Sequence, residues 1–185
     1  MKKTTHARET VELASGALRI AVVSDTHGKP HDMLDARLDA LAPELIMHAG
    51  DIGELGVLDA LALRARVIAV RGNVDGRAMP DFVTIDVRDA GASVLRILLT
   101  HYALAGPKLL ADVARVAEAE GASLVVCGHS HVPFAGRDRG LTVFNSGSVG
   151  PRRFRLPIVF GVIEIGASGV SLRHVDCETG EAWRP

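Results

Sequence analysis

Short apolar runs alternate with amphipathic stretches through the first half of the chain. Leu18–Ser24, Leu45–His48 and Val67–Val70 are rich in β-branched or large apolar residues and too short for buried helices, so they predict strands. Between them, apolar residues recur at helical spacing in Pro30–Leu41 and Leu55–Ala62. This alternation of strand and helix is typical of a parallel sheet covered by helices.

The pattern changes in the second half of the chain, where strands predominate. Phe82–Val87 and Val94–Leu99 are separated by a short turn and predict an antiparallel hairpin, and Pro107–Glu120 predicts a third helix that stops at Gly121. Further strands are predicted at Leu124–Cys127, Leu141–Phe144, Ile158–Glu164 and Val170–Val175. The elements together predict an α/β fold, with either one mixed sheet or two stacked sheets and helices outside.

Length and composition favour one compact domain over residues 1–185, in which residues 1–16 form either an added edge strand or a disordered leader. The formal net charge of −1 gives no basic field for nucleic acid. No apolar run has the length of a membrane span or a signal peptide, so we expect a cytoplasmic protein. Cys127 and Cys177 are expected to be free thiols, because their spacing suits neither a disulfide framework nor a zinc finger.

Five of the apolar runs end in side chains that bind metal ions. One such residue could be a helix cap or an ordinary loop residue, but their recurrence at intervals of 22 to 28 residues places each at the carboxyl end of a strand. Ligands of open α/β sheets bind at that edge. The candidate ligands are Asp25, His27, Asp51, Asn73, His101, His129 and His131.

This set of ligands indicates the kind of metal. Imidazole, carboxylate and amide groups without thiolate suit Mn²⁺, Fe, Zn²⁺, Ni²⁺ or Co²⁺ better than Mg²⁺ or Ca²⁺. Seven ligands are too many for one tetrahedral zinc ion. They suit two divalent ions roughly 3.5–4 Å apart that share a carboxylate, an arrangement that activates a bridging hydroxide and clamps a phosphoryl group.

In order along the chain, these residues resemble the motif series of the calcineurin-like metallophosphoesterases. The motifs are Asp25-Thr26-His27, Gly50-Asp51, Gly72-Asn73-Val74-Asp75, Thr100-His101, Gly128-His129-Ser130-His131 and Asn145-Ser146-Gly147-Ser148. The resemblance extends from about Leu18 to Val175 and is strongest to the small single-domain branch, which includes YfcE-type phosphodiesterases and Vps29-like proteins. It implies a four-layer α/β/β/α sandwich of two stacked mixed sheets flanked by helices.

The resemblance also implies a role for each ligand. Asp25, His27 and His131 would hold the first metal ion. Asn73, His101 and His129 would hold the second, and Asp51 would bridge the two. The residues implied in catalysis are Asp51, Asn73, His129 and His131.

Two positions depart from the pattern of the family and bear on the substrate. Val74 stands where members that hydrolyse monoesters or phosphoproteins commonly have a histidine that protonates the leaving oxygen, so diesters with a good leaving group are favoured. Tyr102 follows His101 where many relatives have glycine, and it is expected to form part of the pocket wall.

Several residues near the motifs have more than one interpretation. Asp75 either orients a ligand or belongs to a simple turn, and His48 is expected to be an interior histidine. Arg152 or Arg153 either binds a substrate phosphate or lies in a solvated charge cluster. Residues 145–150 are expected to form a loop near the metals or a purely structural turn, and His6, His31 and His174 are expected at the surface.

The leading interpretation is a dinuclear metal-dependent phosphodiesterase that cleaves P–O bonds of a small-molecule phosphoester by attack of the bridging hydroxide. Two Mn²⁺ ions are the expected cofactors, no membrane or nucleic-acid partner is expected, and self-association is left open. The alternative is a Vps29-like scaffold for protein interactions with a vestigial metal pocket. Retention of all seven candidate ligands favours the enzyme.

Overall fold

The predicted strands assemble into two six-stranded mixed sheets, which the computed structural model describes over residues 4–13 and 15–184. The elements in chain order are β1 (His6–Glu12), β2 (Leu18–Val23), α1 (Leu34–Leu41), β3 (Leu45–His48), α2 (Gly56–Ala62), β4 (Arg66–Ala69), β5 (Phe82–Asp89), β6 (Ala92–Thr100), β7 (Leu104–Ala105), β8 (Lys108–Leu109), α3 (Ala111–Glu120), β9 (Leu124–Cys127), β10 (Phe134–Asp138), β11 (Leu141–Asn145), β12 (Val159–Gly166), β13 (Gly169–Asp176) and β14 (Ala182–Trp183).

Each sheet has three neighbouring parallel strands. The first sheet has the order β1-β5-β6-β9-β11-β10, in which β6, β9 and β11 run parallel. The second has the order β14-β13-β12-β2-β3-β4, in which β2, β3 and β4 run parallel. The carboxyl ends of these parallel strands carry the loops in which the candidate ligands lie.

The sheets and helices form four layers held by three apolar cores. The central core lies between the sheets and includes Ile20 and Met47 from one sheet and Ile85 and Leu99 from the other. A second core joins α1 and α2 to the outer face of the second sheet, and a third joins α3 to the outer face of the first. The predicted α/β/β/α sandwich is therefore confirmed.

The first strand, β1, lies at the edge of its sheet, as the edge-strand interpretation of the N-terminal segment expects. It pairs with β5 in parallel over its whole length, with His6 opposite Phe82 and Glu12 opposite Arg88. Ion pairs from Arg8 to Glu120 and from Arg66 to Glu9 join it to the rest of the fold. Residues 1–3 and 14 of the predicted leader lie outside the described residues.

The third helix begins later than the sequence predicts. The pattern predicts a helix from Pro107, but Leu104–Ala105 and Lys108–Leu109 pair as a small hairpin and α3 starts at Ala111. The reason is that the preceding residues already form a hairpin: the backbone N–H of Leu110 donates to Ala103 O at 2.9 Å, and Leu110 itself is extended, with φ −63° and ψ 137°. Among the described residues, no helix is long and apolar enough to cross a membrane.

Truncating a side chain in the central core should destabilise the protein. Ile85 is fully buried between the sheets, so Ile85→Ala should lower the free energy of unfolding by about 2–5 kcal/mol. The matched control is Val94→Ala on the neighbouring strand, where the side chain is 49% exposed and the change should stay within about 0.5 kcal/mol. Urea denaturation measures the free energy of unfolding of both variants. Equal losses would contradict the placement of Ile85 in a tightly packed core.

Candidate metal centre

The candidate ligands meet at one end of the sandwich, where the parallel strands of both sheets end. The second sheet supplies the loops after β2, β3 and β4, and the first supplies those after β6 and β9. Backbone hydrogen bonds join these loops to one another: the N–H of Asp25 donates to Gly50 O at 2.9 Å, and the N–H of Gly128 donates to His101 O at 3.1 Å. The loops thus form one connected rim.

The first group of ligands is Asp25, His27 and His131, whose donor atoms lie within 4.8 Å of one another. The imidazoles of His27 and His131 are stacked with ring centroids 5.6 Å apart. The two oxygens of the Asp25 carboxylate have different partners. Oδ2 accepts from the Ser24 hydroxyl at 2.6 Å and from the His129 N–H at 3.0 Å, while Oδ1 lies 3.3 Å from His131 Nε2.

The second group includes Asp51 and His101 with Asp25, and His129 lies beside it. His101 Nδ1 lies 2.7 Å from Ala49 O and must donate there, because a carbonyl oxygen only accepts. In the neutral ring, His101 Nε2 then has its lone pair directed at the site. His129 Nδ1 lies 3.2 Å from this atom.

Asp51 faces both groups. Its Oδ1 lies 3.4 Å from His101 Nε2, and its Oδ2 lies 3.9 Å from His27 Nε2. This placement agrees with the bridging role that the resemblance implies, which stays a prediction. Asn73, the seventh candidate, is exposed after β4 and lines a cavity together with His101.

The charge states suit the binding of a cation. Burial alone would raise the pKa of Asp51, but the His101 imidazole and nearby backbone amides hold it below its usual range. Burial lowers the pKa of His27, and burial together with the charge of His101 lowers that of His129. His101 is the exception: burial lowers its pKa, but the Asp51 and Asp25 carboxylates raise it above its usual value, so a proton competes with a metal ion for this imidazole. Neutral imidazoles and ionised carboxylates are the forms in which these side chains bind metals.

The backbone of the ligand loops is in the left-handed region, which side chains other than glycine rarely adopt. Positive φ angles occur at five candidate ligands, namely Asp25 (56°), His27 (48°), Asp51 (54°), His129 (72°) and His131 (59°). Such a residue costs about 1–3 kcal/mol, and clusters of them mark functional sites. The sequence does not predict these positive φ angles, because Asp and His do not require a left-handed backbone.

Asp75 holds two ligand loops together without touching a ligand side chain. Its carboxylate accepts the backbone N–H groups of Ile52, Gly53 and Gly72 at 3.1, 2.9 and 2.7 Å. These residues follow Asp51 and precede Asn73. The sequence offered two interpretations of Asp75, orientation of a ligand side chain or a simple turn. Neither describes its role fully, because Asp75 orients the backbone of the two loops.

Two histidines outside the motifs, His48 and His174, are buried. His48 is fully buried, as predicted; its Nδ1 accepts from Gly50 N–H, its Nε2 contacts the Thr26 hydroxyl, and burial lowers its pKa to about 4. The surface prediction for His174 is wrong. Its ring packs against Phe144, and its Nε2 donates to Asn145 O at 2.7 Å.

The loop at residues 145–150 packs directly against the site. The Asn145 amide donates to Gly128 O at 2.6 Å and to Ser130 Oγ at 3.2 Å, and so fixes the loop that carries two candidate ligands. The Ser148 hydroxyl donates to Asp25 O. The loop therefore supports the backbone of both ligand segments.

The donor set fits divalent metal ions. Within the described part of the chain, Asp25 Oδ1 and His131 Nε2 are buried and have no hydrogen-bond partner, although each unsatisfied group costs about 1–3 kcal/mol. A cation between these two atoms would satisfy both. Cys127 lies nearby but offers no thiolate, because burial raises the pKa of its thiol to about 12, and both cysteines are free as predicted.

Two neighbouring arginines differ in their partners. Arg153 lies 3.1 Å from His27 Nε2 through its Nη2, so its guanidinium reaches the candidate metal centre. Arg152 instead pairs with Glu178 and donates to Leu156 O at 2.9 Å. Of these two arginines, Arg153 is the one placed to contact a substrate bound at the site.

Comparison of the sequence with known families identifies a match. The profile of the calcineurin-like phosphoesterase superfamily domain matches residues 18–168. A probable metallophosphoesterase of Methanocaldococcus jannaschii is 29% identical over 143 residues, which cover 75% of this chain and 72% of that protein.

Comparison of the fold identifies solved structures of similar architecture. The phosphoesterase YfcE of E. coli has a TM-score of 0.61 and 20% identity, with 90% of this chain and 97% of that chain covered. Vps29 of Entamoeba histolytica, solved in complex with zinc, has a TM-score of 0.69 and 18% identity, with 90% and 96% covered. At these identities the likeness concerns the fold.

Adding a methyl group at Gly128 should disrupt the candidate metal centre. A Cβ there would lie 1.8 Å from Ser24 Oγ and 2.7 Å from Asp25 Oδ2. Gly128→Ala should therefore lower the free energy of unfolding by about 1–3 kcal/mol and reduce the rise in melting temperature on addition of Mn²⁺.

The matched control is Gly56→Ala at the start of α2, where a Cβ meets nothing within 4 Å. This variant should keep the full Mn²⁺-induced shift in melting temperature. An undiminished shift in Gly128→Ala would contradict the placement of Asp25 in the metal centre.

Proposed function

The chain belongs to the calcineurin-like phosphoesterase superfamily, and from that premise we propose that it is a metal-dependent phosphodiesterase acting on small-molecule phosphoesters. The observation that carries the proposal is the buried pair Asp25 Oδ1 and His131 Nε2, two polar atoms 3.3 Å apart without a hydrogen-bond partner among the described residues. Burying such atoms without a partner is costly, and a divalent cation bound between them would satisfy both.

The proposal gives each candidate ligand a task. Asp25, His27 and His131 would hold one divalent cation, Asn73, His101 and His129 a second, and Asp51 would contact both. Bound cations would lower the pKa of a water molecule and neutralise charge on the phosphoryl group. Mn²⁺ is our proposed metal, although this donor set also suits Fe, Zn²⁺, Ni²⁺ or Co²⁺.

Several residues support the proposed chemistry by fixing the ligands. The bond from His101 Nδ1 to Ala49 O sets the tautomer of that imidazole, and the three amides bound by Asp75 hold the loops that present Asp51 and Asn73. Such fixed ligand orientations raise metal affinity. The ligands need not reorganise when substrate binds.

The preference for diesters is supported by Val74. This side chain is 55% exposed and its backbone N–H donates to Asp51 Oδ1 at 3.1 Å, so it stands at the rim of the site. Valine cannot protonate a leaving oxygen, so an ester whose leaving group is stable as an anion should react fastest. The cytoplasmic location and the organisation as a single domain over residues 1–185 stay predictions.

The second candidate function is a protein-binding scaffold, which is supported by the likeness of the fold to Vps29. Metal binding does not discriminate between the two functions, because that Vps29 structure itself contains zinc. Hydrolysis does discriminate. The enzyme is our preferred proposal because all seven candidate ligands are present.

Hydrolysis of bis(p-nitrophenyl) phosphate tests the proposed function. The wild-type protein should release p-nitrophenol in a Mn²⁺-dependent manner, and Asp51→Ala should reduce kcat/KM at least about a hundredfold because a bridging carboxylate is lost. Asp59→Ala, an exposed carboxylate on α2, is the matched control and should keep wild-type rates. Equal rates for wild type and Asp51→Ala would favour the scaffold.

Arg153 should bind the phosphoryl group of the substrate. Arg153→Ala should raise KM about tenfold with a smaller effect on kcat, because a charge-assisted hydrogen bond is lost. Arg152→Ala is the matched control, since that guanidinium pairs with Glu178 and should leave KM unchanged. Steady-state kinetics with the same diester measures both, and an equal rise in KM would assign the effect to general surface charge.

A further inference from the structure

A cavity of about 400 Å³ opens beside the candidate metal centre. Asn73 and His101, two candidate ligands of the second metal ion, form one side of it, and Tyr102 and Arg71 form the rest of the inner wall. Its volume falls in the range of small-molecule sites, roughly 300–1,000 Å³. A group joined to a phosphoryl group at the metals would therefore reach this cavity.

The outer wall of the cavity comes from a part of the chain outside the family match. Thr4 lines the cavity, and the match begins only at residue 18. The backbone N–H and hydroxyl of Thr5 donate to Asp81 Oδ2 at 2.8 and 2.9 Å, and Arg71 Nη1 donates to Asp81 Oδ1 at 2.9 Å. The N-terminal segment thus fixes one wall of the cavity and, through Asp81, the guanidinium of Arg71.

The inner wall presents an aromatic ring in a fixed position. Tyr102 is 48% exposed, and its ring packs edge-on against the His129 imidazole with ring centroids 4.6 Å apart. Because almost half of the side chain stays exposed, the ring can stack with a second flat ring. Phe82 adds apolar surface to the wall of the cavity.

Arg71 adds hydrogen-bond donors to the same cavity. Its Nη1 donates one N–H to Asp81, and its Nη2 makes a long contact of 3.4 Å with Asp75 O, so each carries a second N–H, and the side chain is 29% exposed. A guanidinium carries five N–H donors and no acceptor. The cavity therefore suits a flat ring that bears hydrogen-bond acceptors, as a nucleobase does.

We propose that this cavity binds the nucleoside portion of a nucleotide phosphodiester, with the base stacked on Tyr102 and the phosphoryl group at the metal centre. The substrate class rests on the proposed phosphodiesterase function, whereas binding of the nucleoside does not require turnover. The cavity beside the second metal position is the specificity site of the enzyme.

Binding of AMP and of ribose 5-phosphate tests the proposal, because these two ligands share the sugar phosphate and differ by the base. Calorimetric titration of the Zn²⁺-loaded protein should give an affinity for AMP at least about fivefold higher than for ribose 5-phosphate. This ratio corresponds to the lower end of the free energy that stacking of a base on an aromatic ring contributes. Tyr102→Phe should keep this ratio, and Tyr102→Ala should reduce it to near one. Equal affinities in the wild type would overturn the proposal.

The location of the base can be observed directly, because Tyr102 is the only tyrosine of the chain. In protein labelled on the tyrosine ring and loaded with diamagnetic Zn²⁺, AMP should shift the Tyr102 ring resonances upfield and ribose 5-phosphate should not. Tighter binding of AMP that leaves these resonances unmoved would also overturn the proposal. Neither experiment depends on hydrolysis, so loss of the phosphodiesterase function and loss of the nucleoside site give different results.

Discussion

The candidate metal centre depends on a buried pair of polar atoms that have no hydrogen-bond partner among the described residues. Asp25 Oδ1 and His131 Nε2 come from different sheets and lie 3.3 Å apart at the rim where the two sheets meet. Burial removes the water that would otherwise pair with them, and an imidazole whose Nε2 carries the lone pair needed for metal binding offers the carboxylate no proton. The fold thus brings together two groups that a divalent cation would satisfy.

The backbone around the site is also unusual. Five candidate ligands have positive φ angles, and the nearby glycines leave no space for a side chain: a Cβ at Gly72 would lie 2.2 Å from the Asp51 carboxylate. Hydrogen bonds from Asp75 and Asn145 then hold the loops in this conformation. Packing of the central core offsets the free-energy cost of these strained loops.

Much of the arrangement could be predicted from the sequence because it depends on local patterns. Strand periodicity predicted the main strands, and the polar residues at strand ends identified the ligand loops. The choice of two stacked sheets over one mixed sheet came from the resemblance to the family. Features set by distant contacts could not be predicted. Asp138 accepts the Leu109 N–H in the hairpin that precedes the third helix, Asn145 O accepts a bond from the buried His174, and Thr4, ahead of the first strand, lines a cavity beside Tyr102. None of these pairings leaves a periodic signal in the chain.

The most direct test is anomalous diffraction from crystals grown with Mn²⁺ and without chelator. The account predicts an anomalous peak within coordination distance of both Asp25 Oδ1 and His131 Nε2, with a second peak between Asp51 and His101. Crystals that diffract well but show no anomalous density between Asp25 and His131 would contradict the claim that this buried pair exists to bind a cation.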